Sequence, residues 1–416
     1  MLISTLPRNK QRLTGEGEAE LGGEVDFSGR YAAGNLHALT LTPFYPSAAD
    51  DGNGCFVSEP LEWTAKLGVR NTVMAVRPAY RGKAGSGGSV VRGEWLRYFS
   101  LPGGFGLPTA GAFLFARIVG KIRKLHGAQP IGLIHAHGQL PCGHAAMLLS
   151  KELNIPFVVS VHGLDAFSSV QVGGRSGEWC RRVSRLVYAA SRRVICVSEH
   201  VREAVLKGMD RTCLTSVVYN GVDPVHFSPP RVPAFPVLKI LSVGNLIPIK
   251  GHEHLIRAMT SLACDFPSLE LDIIGDGVER RRLEALARRL HIADKVHFHG
   301  RQSRAQVAAA MQCCTIFALT SRYEGLGCVY LEAMSCGKPV VGCRGQGIAE
   351  IIQQGTSGCL VDPDDEQELK IVIGGLLRDP GRARDLGRVA RDTILDRFTL
   401  EQQAENLVRI YRESLK

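Results

Sequence analysis

From residue 36 onward the chain alternates short, nearly continuous apolar runs with longer stretches in which apolar residues recur every three to four positions. The runs fall at 37–41, 73–76, 133–136, 157–161, 194–197 and 216–219 in the first half. In the second half they fall at 239–243, 271–274, 295–298, 315–319, 339–341 and 359–361. Brief runs without polar alternation, separated by helical patterns, belong to strands buried on both faces, the situation of parallel sheets covered by helices. The pattern predicts an α/β protein with two such sheets. Between the halves, residues 227–236 contain Pro229, Pro230, Pro233 and Pro236, whose fixed φ and missing N–H interrupt regular structure. The expected plan is a flexible lead-in over 1–34, a first domain over 35–227, a linker over 228–236, a second domain over 237–397 and a terminal segment over 398–416.

A length of 416 residues fits two cores better than one. The 45% hydrophobic and 22% charged fractions are those of a globular protein, and no apolar run approaches the roughly 18–20 residues of a membrane span. Segment 1–34 is polar and glycine-rich, without the apolar core of a signal peptide. The twelve cysteines form no C-x-x-C pair, so free thiols in a reducing cytosol are expected rather than disulfides or a metal cluster.

Charge is uneven. Residues 1–232 hold 26 basic against 17 acidic side chains, and the remainder 24 against 23. Two basic helical segments, 107–126 and 177–194, carry much of the excess, the second with Trp179, Val183, Leu186 and Val187 placed on one face. Such helices fit an anionic bilayer surface, at the inner face of the cell membrane, or a phosphorylated acceptor. A helix packed on its own sheet with a solvated basic face is the plainer account. Nucleic-acid binding fits poorly, because aromatic interleaving and base-reading motifs are absent.

The most distinctive stretch runs from Ser321 to Met334, through Arg322-Tyr323-Glu324-Gly325-Leu326-Gly327-Cys328 to Glu332, and closes on Cys336-Gly337-Lys338-Pro339. A glycine turn between a strand and a helix presents free N–H groups at a helix N-terminus, where anions bind. Glu324 precedes that turn and Glu332 returns from the helix to the same side. A second glycine turn, Gly244-Asn245 to Lys250-Gly251, adds a cation near a helix start. Asp50-Asp51-Gly52-Asn53-Gly54 follows the first strand, where glycines let backbone approach a ligand closely. Ser160-Val161-His162-Gly163-Leu164-Asp165 and Ile134-His135-Ala136-His137-Gly138 end strands at the expected crevice.

The Glu-x7-Glu stretch and its company resemble the retaining glycosyltransferases of family 4, whose two Rossmann-like domains face a central cleft (the GT-B arrangement). The resemblance spans about residues 37–414 and implies a terminal helix crossing back onto the first domain. It implies a nucleotide-diphosphate sugar as donor and a glycan or lipid-linked glycan hydroxyl as acceptor, in cell-surface or exopolysaccharide synthesis. Neither a cofactor nor a metal is implied. Lys250, Asn245 and the amides of Gly325, Leu326, Gly327 and Cys328 would hold the diphosphate, Glu332 the ribose and Glu324 the sugar hydroxyls. Main-chain atoms around Arg301 would meet the base, Gly52 and Gly54 the phosphate side, and His162 the donor sugar or acceptor. His135, His137 and Asp165 would line the acceptor side. His162, Lys250 and Glu324 are thus the expected catalytic group. Asn245 departs from the family's usual arginine, which leaves Lys250 with more of the charge. Gln346 likewise replaces a family glycine before Gly347, and Glu350 is expected to be a structural acid. Asp362-Pro363-Asp364 has the D-x-D spacing of metal-dependent enzymes, but Asp364 or Asp365 is placed to cap the following helix. A sugar-nucleotide epimerase, a phosphorylase and a non-catalytic binding homologue remain as rival readings.

Overall fold

The computed structural model describes residues 36–47, 50–82, 91, 93–102, 104, 106–166, 172–209, 213–230 and 238–416. Strands β1 (His37–Thr42), β2 (Arg70–Pro78), β3 (Gly93–Tyr98), β4 (Leu133–His137), β5 (Phe157–Val161), β6 (Arg193–Cys196) and β7 (Thr215–Val217) form one sheet, ordered β3-β2-β1-β4-β5-β6-β7. Strands β8 (Lys239–Val243), β9 (Glu270–Ile274), β10 (Val296–Gly300), β11 (Ile316–Ala318), β12 (Val340–Cys343) and β13 (Cys359–Val361) form a second, ordered β10-β9-β8-β11-β12-β13. Every pairing is parallel. The fold is therefore two Rossmann-like sheets. The strand order reverses beside β1 in the first and beside β8 in the second, and ligand crevices open at the carboxyl ends of such strands.

The central strands β1, β4 and β5 are buried along their whole length; β5 is nearly all apolar, whereas β1 and β4 also bury polar residues, His37, Thr40 and Thr42 in the first and His135 and His137 in the second. β3 is the exception and went unanticipated. It lies at the sheet edge, and its exposed Glu94 and Arg97 break the apolar run.

The last helix, Leu400–Glu413, packs on the first sheet. Leu407, Val408, Ile410 and Tyr411 join Ala38, Leu133, Val158 and Ile195 in one buried cluster. Each such aliphatic side chain contributes about 1.5–3 kcal/mol when fully withdrawn from water. The helix starts on a capping box between Thr399 and Gln402, and Val222 bonds Phe398 and Leu400 on either side of that cap.

The basic helices differ from expectation in detail. On Leu107–Ala128, Leu114, Ile118 and Ile122 face the core, while Lys121 pairs with Glu94 and Arg123 with Glu152, so part of its charge is neutralised. On Gly174–Ala190, Cys180, Val183, Val187 and Tyr188 face inward, leaving Trp179 and Leu186 exposed rather than on the buried face. Among the described residues no helix is long and apolar enough to cross a membrane. The lead-in 1–34 and linker residues 231–236 lie outside the described residues.

Candidate active site

Both sheets turn their carboxyl ends toward one cleft of about 370 Å³, within the range of small-molecule sites. Gly52, Gly54, Phe56, His162 and Asn220 line it from the first domain, and Asn245, Lys250, Arg301, Arg304, Glu324, Leu326, Gly327, Cys328 and Glu332 from the second.

On the first domain, the loop after β1 bends back at Gly54 (φ 80°), where a Cβ would lie 2.4 Å from the Tyr45 nitrogen. Glycine is required there because both the handedness and the space exclude a side chain. The helix Cys55–Lys66 begins directly after it.

On the second domain, Pro248–Lys250 forms one 3₁₀ turn, held to the end of β11 by the Thr320 hydroxyl donating to the Gly251 carbonyl at 2.7 Å. This brings Lys250 Nζ onto Glu324 Oε2. Gln346, where the resembled family has glycine, fixes Glu324 from behind: its Oε1 accepts from the Glu324 amide (2.9 Å) and its Nε2 donates to the Arg322 carbonyl (2.9 Å). Among the described residues, no acceptor takes the N–H groups of Gly325 to Cys328 at the start of the helix Cys328–Ser335. Those of Leu326, Gly327 and Cys328 lie on the cleft wall, free to receive an anion with the helix dipole behind them. Glu332 lies in the second turn of that helix and is only 3% exposed. Its Oε1 accepts from Arg304, while Oε2 has no partner. A buried carboxylate oxygen left alone is costly, so it is poised for a hydroxyl donor.

His162 ends β5 on the cleft wall, and its Nε2 shares a 3.0 Å hydrogen bond with His137 Nδ1. His135 is held by Tyr411 and Ser160, both at 2.7 Å, and faces a small enclosed space with His137. The structure thus sets His135 and His137 behind His162 and not on the cleft wall. Burial lowers His162 to about 4 and His135 to about 3, and lowers His137 as well, so the three rings are neutral at pH 7. Asp165 also lies behind the wall, accepting from the His162 amide at 2.9 Å, and burial raises it to about 6. Burial likewise pushes the cleft-facing thiols of Cys55 (to about 12) and Cys328 upward, so neither is a ready nucleophile.

Gly325 does not line the cleft; it is the point where the domains touch. A Cβ there would sit 2.1 Å from the His162 carbonyl oxygen, and Ser198 Oγ of the first domain donates to the Gly325 carbonyl at 2.6 Å. Glu350 of the second domain accepts from the amides of Glu199 (2.8 Å) and His200 (2.6 Å), capping a first-domain helix, Glu199–Lys207. Its structural role is thus an interdomain one.

Arg304 and Glu59 escaped the sequence reading. Ser303-Arg304-Ala305-Gln306 reads as a capping box, and the box is present. An arginine in the first turn opposes the helix dipole, and that misfit was the available signal. The D-x-D stretch is engaged elsewhere: Asp365 caps Glu366–Arg378 through the Glu368 amide (2.8 Å), Asp362 pairs with Arg344 and Asp364 with Arg322. Glu270, Asp272 and His297 come together on β9 and β10, where the Lys239 ammonium already sits 2.9 Å from Asp272.

The family model for glycosyl transferases group 1 matches residues 236–393, and that for glycosyltransferase family 4 matches residues 61–226. A D-inositol 3-phosphate glycosyltransferase from Segniliparus rotundus is 29% identical over 344 residues, covering 78% of this chain and 74% of that protein. Sucrose-phosphate synthase from Thermosynechococcus elongatus superposes with a TM-score of 0.73 at 22% identity, over 91% of this chain and 98% of that one. HepE from Anabaena, in complex with UDP-glucose, does so with a TM-score of 0.69 at 20% identity, over 90% and 99%. At such identities the two structures speak for the fold, whereas the two family models, one on each domain, carry the assignment. The chain belongs to the family 4 glycosyltransferases, in the GT-B arrangement.

Proposed function

We propose that this glycosyltransferase moves a hexosyl group from a nucleotide-diphosphate sugar to a hydroxyl of a glycan or lipid-linked glycan, with retention of anomeric configuration and without a required metal. The observation that carries this reading is the convergence in one cleft of four elements: the free Leu326–Cys328 amides, the Lys250 ammonium, the Glu324 carboxylate and the unpartnered Glu332 Oε2. An entering diphosphate takes the amides and Lys250, which releases Glu324 to the sugar hydroxyls. Glu332 Oε2 accepts from the ribose. The departing diphosphate gathers negative charge, and donors already aimed at it lower the barrier without reorganising. Neutral His162 hydrogen-bonds at the sugar or the acceptor, and closure of the domains keeps water from the donor. HepE bound to UDP-glucose supports a nucleotide-sugar donor. Exposed Trp179 and Leu186 beside Arg181 and Arg182 support contact with an anionic membrane surface at the inner face of the membrane.

The test is product analysis. Purified protein is incubated with UDP-, GDP- and ADP-sugars and a panel of glycan and lipid-linked acceptors, in EDTA. A new glycoside with the donor's anomeric configuration by NMR supports the reading; inversion, or transfer only after a divalent ion is restored, refutes its finer part. Free altered sugar nucleotide without an acceptor product would instead favour epimerase chemistry.

A further inference from the structure

Along the cleft wall runs an ion-pair system that crosses between the domains and that the reading above does not use. Arg304 opens the second-domain helix Arg304–Cys313. Its Nη1 donates to Glu332 Oε1, while Nη2 (2.7 Å) and Nε (3.1 Å) both donate to Glu59 Oε1 of the first domain. The Arg304 amide donates to Asp51 at 3.2 Å, and the guanidinium carbon lies 4.7 Å from the Phe227 ring. Next to it, Arg301 Nη1 donates to Asp50 Oδ2 at 2.7 Å. The first domain therefore docks three carboxylates onto residues 301–304. Glu59 itself does not line the cleft.

A guanidinium is a flat fork with separate hydrogen-bonding edges, and its favoured partner geometry is a bidentate grip on one carboxylate. Here the Nε/Nη2 edge is occupied by Glu59, so Arg304 reaches Glu332 through Nη1 alone and Oε2 stays without a partner. Were Glu59 withdrawn, by the domains parting or by substitution, the same edge could turn to Glu332 and take both oxygens.

We propose that Arg304 is a positioning residue that couples domain closure to donor recognition: Glu59 holds one edge of the guanidinium and so keeps Glu332 Oε2 available to a donor hydroxyl. This rests on the donor reading above, in which that hydroxyl belongs to the ribose. Donor selectivity at the ribose is then a property of the closed molecule, set by Glu59, a side chain that does not line the cleft.

The test compares UDP, GDP and ADP with their 2′,3′-dideoxy forms by calorimetric titration of the full-length protein. Wild type is expected to prefer one ribo form over its dideoxy form about tenfold or more, because the dideoxy form strands a buried acceptor. In Glu59→Gln and Glu59→Ala the preference falls to within about twofold, whereas in Arg304→Lys, which keeps the charge but has no second edge to turn onto Glu332, the Glu59 substitutions cause no such fall. In a Glu332→Ala background the Glu59 substitutions change nothing further. An unchanged preference in both Glu59 variants, or effects that add in the double variant, overturns the inference and leaves the donor site standing. No nucleotide binding by wild type overturns the donor reading and the inference with it.

Discussion

Replacing Glu59 by Gln is expected to stabilise the protein at alkaline pH while impairing donor recognition. Burial raises the Glu59 carboxyl to about 7 from an ordinary 4.5; Arg304 pulls it down, while Glu332 and Asp223 push it up. Two carboxylates share one guanidinium, so ionised Glu59 leaves the cluster with a net negative charge in a largely buried place. The sign follows from the raised value. The folded protein binds this proton more tightly than a chain in which Glu59 meets water, so stability is fully present below about pH 4.5 and is lost as pH rises through about 7. That shift corresponds to about 3 kcal/mol above pH 8. Gln is isosteric and does not ionise, so Glu59→Gln should match wild type near pH 5 and exceed it at pH 8. For a chain of 416 residues, unfolding entropy converts 3 kcal/mol into about 3 °C of melting temperature. The assay is the melting temperature of both proteins from pH 5 to 8.5, read as a difference so that other titrations cancel. Equal differences at both ends, or a wild type more stable at pH 8, would show that the Arg304 attraction outweighs burial and would refute the reasoning.

Gly325→Ala places a Cβ 2.1 Å from the His162 carbonyl, so the domains cannot close. Transfer should fall about 100-fold or more with circular dichroism unchanged and a larger radius of gyration by small-angle scattering; an active, equally compact variant would contradict this. Asn245→Arg adds a cation to the cleft wall beside Lys250 and should tighten nucleoside-diphosphate binding about tenfold, with a steeper salt dependence; calorimetry at two salt concentrations checks it. Burial depresses His162 to about 4 and His135 to about 3, so the stability they contribute is present above about 6.5 and lost as pH falls toward those values. His162→Asn removes one such proton and should flatten the acid limb of the melting-temperature profile, whereas an unchanged limb would show that His162 is solvated.

The two-sheet plan was legible because strands such as β5 and β12 are buried on both faces and therefore almost free of polar side chains, a one-dimensional signal. The edge strand β3 is half wet, and Glu94 and Arg97 hide it. The cleft's second-domain wall was legible for a similar reason: Glu324 to Glu332 lie within one turn and one helix, so local spacing places them. What local spacing cannot show is contact between residues far apart in the chain. Arg304 meets Glu59 across 245 positions, and although an arginine in a first turn is a misfit, nothing in either helix names the other as its partner. His135 shows the converse. Its place at a strand end resembles a site position, yet Tyr411, 276 residues away, ties it into the core.

The central claim, that the cleft binds a nucleotide-sugar donor through Lys250 and Glu332, is tested most directly by titrating UDP, GDP and ADP into wild type, Lys250→Ala and Glu332→Ala in the presence of EDTA. One nucleotide should bind wild type, lose about tenfold or more in affinity in each variant, and be indifferent to EDTA. Binding that survives both substitutions, or no binding of any nucleotide to wild type, would contradict the account.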